Sequence, residues 1–295
     1  MRFNPLDADN SLAYRQWRED RIRAYETGEN TGIVDIEGVR ASESELRQLI
    51  LSCQKFNYAI YRMARTDRND KRFVAETGLL LGLSRLDGNL CSDEDNISAI
   101  QVQTEGCQSG YIPYTDKKLT WHTDGYYNNE QHTIRAMVLH CVRPAQSGGE
   151  NLLLDHEMAY IQLRDENPQF ITAFAQPDAL TIPPNIESGV EIRGTQSGPV
   201  FSIDPLSASL HMRFSARTRN IEWKDDSRTK EAVACMQQLL SINNPYVITY
   251  RMRAGEGIIA NNVLHNRTAF IDAPPAEQKR LLYRARYYDR VTAQL

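Results

Sequence analysis

Two short apolar segments, far apart in the chain, each lead to a histidine, and this arrangement constrains the fold more than any other feature. Residues 119–125 read LTWHTDG, and residues 257–265 read GIIANNVLH. Both segments favour β-strands. Because residues two apart on a strand share a face, His122 and Asp124 are expected to point to the same side. A fold that brings the two strands together would place His122, Asp124 and His265 in one site.

Two histidines and one carboxylate form the ligand set of a mononuclear non-haem Fe(II) centre. They occupy one face of an octahedral iron and leave three positions open for a co-substrate and dioxygen. Taken alone, the His-x-Asp tripeptide is a weak signal, because the chain has six histidines. A polar strand end followed by an Asp-Gly turn explains the same residues without any metal. The iron interpretation therefore depends on the C-terminal third of the chain.

An arginine-rich strand follows the distal histidine. Residues 279–288 read KRLLYRARYY, and with a period of two Arg280, Arg284 and Arg286 share a face with Leu282. A guanidinium on a strand beside the histidine is a planar, bidentate donor suited to a carboxylate near the metal. The alternative is that these arginines line the solvent-facing side of an edge strand.

Four motifs, in order, resemble the taurine dioxygenase/2,4-dichlorophenoxyacetate dioxygenase-like family of Fe(II)- and 2-oxoglutarate-dependent oxygenases. The motifs are WHTDG at 121–125, GGEN with the following LLLD at 148–155, NVLHNRTAF at 262–270 and RLLYR at 280–284. The third is similar to γ-butyrobetaine hydroxylase-like and glutarate hydroxylase-like members in particular. The resemblance covers roughly residues 95–290, about two thirds of the chain.

The resemblance implies metal and co-substrate roles. His122, Asp124 and His265 match the ligands of Fe(II), and Arg280 matches the residue that holds the distal carboxylate of 2-oxoglutarate. Asn151 occupies the place of a threonine that hydrogen-bonds the co-substrate in taurine dioxygenase. This departure leaves the Asn151 contact open, although an amide can donate the same bond.

For the substrate, the resemblance implies hydroxylation of a small polar molecule with release of succinate and CO2. Arg284 matches the position that contacts an anionic group of the substrate, Arg286 is a second candidate, and Tyr126 is a candidate pocket residue. A carboxylate or another anion is therefore expected, with a tyrosine cage for a quaternary ammonium group as the alternative. Substrate identity, and desaturation or ring closure instead of hydroxylation, stay open. Two other classes also remain: a non-catalytic jelly-roll binding module and a zinc hydrolase with the same His/Asp/His set.

The pattern of elements predicts a mainly β fold with flanking helices and a double-stranded β-helix (jelly roll) core. No Pro/Gly/Ser-rich linker divides the 295 residues, so we predict one domain over 1–295. Its N-terminal part, about 1–95, is expected to be helical, with a capping box at Ser42 and Glu45. A lid-like insert is expected over about 156–246.

Composition and hydropathy argue against nucleic acid and a membrane as partners. The formal net charge of −4 argues against nucleic acid, and no segment is apolar enough for a membrane span. The N-terminus has no apolar signal-peptide region. The cysteines are odd in number and lack a Cys-x-x-Cys pair, which favours reduced thiols and a cytoplasmic location; they are Cys53, Cys91, Cys107, Cys141 and Cys235. A homo-oligomer is expected only by analogy with the family.

Overall fold

The computed structural model describes residues 4–6, 11–65, 69–88, 95–103, 111–187, 189–241, 243–274 and 276–292. The sequence predicts a strand over 99–104, and its last residue, Thr104, lies outside these ranges, as do Cys91 and Cys107. The described α-helices are α1 (Ser11–Glu26), α2 (Glu43–Phe56), α3 (Lys71–Leu80), α4 (His156–Glu166), α5 (Pro168–Phe174) and α6 (Ser227–Ser241). The described strands are β1 (Ile33–Ile36), β2 (Tyr58–Met63), β3 (Ser98–Ile100), β4 (Leu119–His122), β5 (Ala136–Arg143), β6 (Ser147–Gly148), β7 (Asn151–Leu154), β8 (Leu180–Ile182), β9 (Asn185–Glu187), β10 (Val190–Arg193), β11 (Gln196–Gly198), β12 (Phe201–Ile203), β13 (Leu210–Met212), β14 (Glu222–Trp223), β15 (Ile248–Tyr250), β16 (Glu256–Ala260), β17 (Leu264–Arg267), β18 (Phe270–Ile271) and β19 (Leu281–Tyr287).

The fold is built on two β-sheets. The larger has six strands in the order β1-β2-β16-β5-β19-β3, with β1 parallel to β2 and the other pairs antiparallel. The smaller has four antiparallel strands in the order β15-β7-β17-β4. Strands β6 and β18 form a short pair of their own. The remaining pairings all lie within the insert between β7 and β15.

Alternating side chains give the six-stranded sheet two buried faces. On β5, Met137 and Leu139 belong to the core that also contains Leu153 and Leu264 of the four-stranded sheet. Ala136 and Val138, which point the other way, belong to a second core with residues of α2 and α3. Since successive strand residues face opposite sides, the sheet is covered by helices on one face and by the four-stranded sheet on the other.

The N-terminal part contributes strands as well as helices. The predicted capping box is present, because Ser42 Oγ accepts from the Glu45 N–H and the Glu45 carboxylate accepts from the Ser42 N–H. However, β1 and β2 extend the six-stranded sheet, whereas the sequence predicts a helical N-terminal part. β2 is buried at five of its six residues and β1 at two of four, and neither run shows a strict alternation of apolar and polar residues by which a strand is recognised.

The predicted strand over 257–264 is wrong in one respect, because the run divides into two strands. β16 ends at Ala260 in the six-stranded sheet, and β17 begins at Leu264 in the four-stranded sheet. Between them Asn262 adopts a left-handed conformation with φ 51°, which asparagine tolerates better than most residues. The chain therefore crosses from one sheet to the other just before His265.

The insert forms a layer beside the four-stranded sheet. Asp155 caps α4, and Asn167 caps α5, which begins at Pro168 as its position predicts. Helix α6 buries Val233 and Met236 and leaves Leu240 half-buried. Within the described residues, no helix is both long and apolar enough to cross a membrane.

Candidate active site

Strand pairing brings the three predicted metal ligands together. Strands β4 and β17 are antiparallel neighbours with His265 directly opposite His122, and their ring centroids lie 4.2 Å apart. Asp124 follows β4 at a turn in which Gly125 has φ 66°. One ligand atom from each of His122, Asp124 and His265 lies within 4.8 Å of the other two. The spacing read from the sequence thus becomes one compact donor set.

Backbone carbonyls orient both imidazole rings. His122 Nδ1 lies 2.8 Å from Thr120 O, and His265 Nδ1 lies 3.0 Å from Val263 O. In each ring Nδ1 donates to the carbonyl, so Nε2 is left with its lone pair for a metal. Burial, reinforced by the nearby His265, lowers the pKa of His122 to about 3. The neutral ring that metal binding requires is therefore the stable form.

Asp124 is held as a carboxylate by two arginines. Its Oδ1 lies 3.8 Å from Arg284 Nη1 and 3.9 Å from Arg286 Nη1. Burial acts to raise the pKa of Asp124, but these guanidinium groups hold it well below its usual range. Oδ2 is buried without a hydrogen-bond partner. A charged oxygen is therefore available to a cation.

A cavity that is partly open to solvent lies between the two sheets, and His122, His265 and Arg280 are among the residues that line it. The Arg280 side chain is buried, its Cζ lies 4.9 Å from the centre of the Phe270 ring, and its backbone N–H donates to Asp272 Oδ1 at 2.8 Å. Burial lowers the pKa of Arg280 to about 10, so it stays positive at neutral pH. Among the described residues no carboxylate forms an ion pair with it, and Asn151, on the same cavity wall, has Nδ2 buried without a partner.

The predicted substrate residues occupy different environments. Arg284 lines the cavity, and its Nε is buried without a partner. Arg286 is already engaged: Nη2 pairs with Asp87, and Nη1 donates to Tyr127 Oη at 3.0 Å. The Tyr126 ring is buried and meets the His122 ring edge-on at 6.4 Å. Arg284 can therefore donate a further hydrogen bond near the predicted metal ligands, whereas the Arg286 guanidinium is held by Asp87 and Tyr127.

Sequence reasoning missed three residues that build the site. Asn262 holds the backbone of Asp124, and Asp87 orients Arg286. Arg267 lies against Phe270 with its Cζ 4.8 Å from the ring centre, and donates to the carbonyls of Thr115 and Lys117. Arg267 stands two residues after His265 in the motif NVLHNRTAF, so the sequence did mark this position. Nothing local marks Asp87.

The residues present fit Fe(II) and 2-oxoglutarate. Two oriented imidazole nitrogens and a free carboxylate oxygen could supply three protein ligands on one side of a metal. Asn151 Nδ2 and Arg284 Nε are unpartnered polar atoms of residues that line the cavity, and Asp124, whose Oδ2 is also unpartnered, lies beside Arg284. Buried polar groups are normally hydrogen-bonded. A cation with an anionic co-substrate would satisfy them.

Comparison with known proteins identifies the family. Residues 19–286 match the family model described as taurine catabolism dioxygenase TauD, TfdA family. The chain belongs to this family. A uridine-5'-phosphate dioxygenase from Amycolatopsis sp. is 28% identical over 255 residues, which are 81% of this chain and 88% of that protein. A uridine-5'-phosphate dioxygenase from Streptomyces sp. is 27% identical over 66% of this chain and 71% of its own length.

Solved structures share the fold. An asparagine oxygenase in complex with Fe(II), 2S,3S-3-hydroxyasparagine and succinate has a TM-score of 0.58 at 18% identity, over 92% of this chain and 91% of its own. The non-heme iron oxygenase OrfP in complex with Fe, succinate and (3R,4R)-dihydroxy-L-Arg has a TM-score of 0.59 at 15% identity, over 84% and 81%. These likenesses establish a β-rich TauD-like fold with flanking helices.

The family membership confirms the predicted function class. The chain is an Fe(II)- and 2-oxoglutarate-dependent dioxygenase, so it is an enzyme and not a binding module or a zinc hydrolase. Its co-substrates are 2-oxoglutarate and dioxygen, and its substrate is a small molecule.

Proposed function

We propose that His122, Asp124 and His265 bind the iron, and that the enzyme hydroxylates a small substrate bearing an anionic group. The observation that carries this proposal is the donor set within 4.8 Å, whose two histidines line the same cavity as Arg280. Iron with 2-oxoglutarate supplies the oxidation: one oxygen atom of O2 enters succinate as CO2 leaves, and the other enters a substrate C–H bond as a hydroxyl group.

The chain's own residues bind and orient the reactants. Arg280 binds the distal carboxylate of 2-oxoglutarate as a bidentate donor, and Asn151 Nδ2 donates a hydrogen bond to the co-substrate. Phe270 packs against the Arg280 guanidinium and limits its freedom. Leu153, Leu282 and Ile258 line the same cavity and exclude water from the space between the co-substrate and the β-sheets. These contacts place the co-substrate before the substrate arrives.

The wider architecture is proposed as follows. The six-stranded and four-stranded sheets face each other around this cavity and form a double-stranded β-helix core within a single domain. The insert over about 156–246 acts as a lid over the substrate. If the lid is correct, iron, 2-oxoglutarate and substrate together should protect the insert from a protease, whereas equal cleavage with and without them would count against it.

Arg284 is the proposed contact for the anionic group of the substrate. It lies beside Asp124 with an unpartnered Nε, so it can serve a ligand next to the metal. Because two relatives by sequence are uridine-5'-phosphate dioxygenases, a nucleoside 5'-monophosphate is the first compound to test. Small amino acids come second, since the similar structures of asparagine oxygenase and OrfP hold hydroxylated amino acids.

The test begins without oxygen. Protein reconstituted with Fe(II) and 2-oxoglutarate should give the weak visible charge-transfer band of the chelate. His265→Ala should abolish the band, and Arg280→Ala should require far more 2-oxoglutarate. Oxygen-dependent succinate release should then be measured with uridine 5'-monophosphate, uridine, amino acids and betaines. Wild-type protein that binds iron but shows no band would overturn the proposed co-substrate site.

A further inference from the structure

Two arginines of the insert lie next to the tyrosines that follow the metal motif. Arg193 is the last residue of β10, and its Cζ lies 5.8 Å from the centre of the Tyr127 ring. Arg213 follows β13, and its Nε donates to Tyr126 O at 2.7 Å. The hairpin β9–β10 and strand β13 thus meet the active site at the same two aromatic residues.

Arg213 is a fixed positive charge. Besides Tyr126 O, its guanidinium donates to the carbonyl oxygens of Leu180 at 2.8 Å, Gly198 at 3.4 Å and Gln196 at 2.9 Å. Its partners are therefore neutral. Burial, followed by the charge of Arg193, lowers the pKa of Arg213 to about 10, so both groups are charged at neutral pH and repel each other.

Arg193 uses two of its five N–H donors in hydrogen bonds to the part of the chain that the structure describes. Nη2 donates to Pro183 O at 3.0 Å, and Nη1 makes a long contact of 3.4 Å with Tyr127 O. The side chain is half-buried. Glu191 on the same strand is exposed, and within the described residues no carboxylate forms an ion pair with Arg193 or Arg213. Like charges that share a site without a counter-ion are unfavourable unless an anion binds there.

Tyrosines connect this pair to the metal ligands. The Tyr127 hydroxyl accepts from Arg286 Nη1 at 3.0 Å, and that nitrogen lies 3.9 Å from Asp124 Oδ1. The Tyr126 ring lies 5.2 Å from the Tyr127 ring and 6.4 Å from the His122 ring. A ligand anchored at Arg193 would therefore extend along two aromatic rings toward the iron.

We infer that Arg193, supported by Arg213, forms an anion subsite that binds the phosphate group of a phosphomonoester substrate. Two adjacent positive charges match a phosphate monoester, which carries nearly two negative charges at neutral pH, better than a single carboxylate. The planar fork of Arg193 suits phosphate oxygens. If the phosphate group binds at Arg193, then Arg284 beside Asp124 contacts an uncharged polar group of the same substrate, so for a phosphomonoester this inference replaces the pairing of Arg284 with the anionic group. The inference rests on the proposed function, because the bound molecule must reach the same iron.

The experiment uses anaerobic protein loaded with Fe(II) and 2-oxoglutarate, in which the chelate band is checked first. Uridine 5'-monophosphate, uridine and inorganic phosphate are then titrated by calorimetry. Wild type should bind the monophosphate at least about tenfold more tightly than uridine, and phosphate should compete with it, as expected for charged hydrogen bonds. Arg193→Gln should remove that preference and leave uridine binding unchanged.

Two further variants separate recognition from folding. Arg193→Lys keeps the positive charge but loses the planar guanidinium, and should retain part of the preference for the monophosphate over uridine. Arg219→Gln removes an exposed charge of the insert and should behave as wild type. In turnover, Arg193→Gln should raise KM for the monophosphate and leave kcat nearly unchanged.

Three results would overturn the subsite. Arg193→Gln could keep the full preference for the monophosphate over uridine, or wild type could bind neither the monophosphate nor phosphate up to about 10 mM. Either result with an intact chelate band removes the subsite and leaves the proposed function standing. Iron-loaded wild type without a chelate band removes both.

Discussion

Asn262 and Asp124 are joined by two reciprocal hydrogen bonds. The Asp124 N–H donates to Asn262 Oδ1 at 2.7 Å, and Asn262 Nδ2 donates to Asp124 O at 2.9 Å and to Ile134 O at 2.7 Å. All these groups are buried. The residue that redirects the chain between the two sheets therefore also fixes the backbone of the proposed carboxylate ligand.

Replacing Asn262 with glycine should weaken metal binding. Glycine keeps the left-handed conformation but removes all three side-chain hydrogen bonds, so the Asp124 carboxylate loses its fixed position. Fe(II) affinity, measured by anaerobic titration, should fall about 10- to 100-fold. Asn220→Gly is the matched control, because Asn220 also has a positive φ of 59° but is exposed. Equal affinities for Asn262→Gly and wild type would contradict this role.

Arg280→Gln should raise the 2-oxoglutarate concentration needed for half-maximal activity by about tenfold or more, because a buried charged hydrogen bond contributes about 1.5–3 kcal/mol. Substrate KM should change little, since Arg280 immediately precedes β19 and stands four residues before Arg284, which lies beside Asp124. Lys279→Gln removes the neighbouring charge and serves as the control. A parallel rise in both KM values would indicate general damage to the cavity instead.

Gly148 should tolerate no side chain. It has φ 71°, and a Cβ would lie 2.3 Å from Ala269 O. Its partner in the β6–β18 pair is Phe270, which packs on Arg280. Gly148→Ala should lower the free energy of unfolding by more than about 2 kcal/mol and increase the 2-oxoglutarate requirement.

Gly148→Ala combines a steric clash with the cost of a left-handed backbone conformation, and Gly189→Ala measures the conformational cost alone. Gly189 has φ 81° but open space around its Cβ position, so only the conformational cost of about 1–2 kcal/mol applies. Chemical denaturation of both variants should therefore show a larger loss for Gly148→Ala. Equal losses would mean that the chain relaxes around the Ala269 carbonyl.

Asp155 should make stability fall as the pH rises from 5 to 8. It is fully buried and accepts from Asn57 Nδ2 at 2.8 Å and Tyr25 Oη at 3.2 Å. Burial raises the pKa of Asp155 to about 6, against the opposing charge of Arg21. The folded state then holds the proton more tightly than the unfolded state, so this stabilisation is present at low pH and is lost as the pH rises through about 6.

The Asp155→Asn variant isolates this titration. It should be less stable than wild type at pH 5, because it loses part of the hydrogen-bond network. Its deficit should shrink by about 1 kcal/mol between pH 5 and pH 8, because only wild type has the carboxyl group to deprotonate. Urea unfolding at several pH values measures the difference, and a deficit independent of pH would place the pKa near its ordinary value.

Local patterns predicted which strand residues share a face and which three side chains come together. The period of two over residues 279–288 placed Leu282 on one face and Ala285 and Tyr287 on the other, as the two cores show. His122, Asp124 and His265 were predicted as one set and are brought together. These predictions succeeded because strand geometry links spacing to direction without reference to the rest of the fold.

Contacts distant in sequence could not be predicted in this way. Asp87 binds Arg286 across 199 positions, and no local pattern specifies that pair. The division of the strand at Asn262 depends on tertiary contacts, such as the hydrogen bond from the Asn261 N–H to Asn57 O. Likewise, β1 and β2 are strands because β2 pairs with β16 and β1 pairs with β2 at the edge of the six-stranded sheet. Strand preference depends on such surroundings.

The pairing of His265 with His122 has a consequence for folding. Because side chains alternate along a strand, a slip of one residue between β4 and β17 would turn His265 to the opposite face and destroy the donor set. A metal that binds only the correct alignment stabilises it by mass action over every misaligned form. Iron would then select the native alignment of β4 and β17 during folding. Its uptake by refolding protein would show that the two strands had reached this alignment.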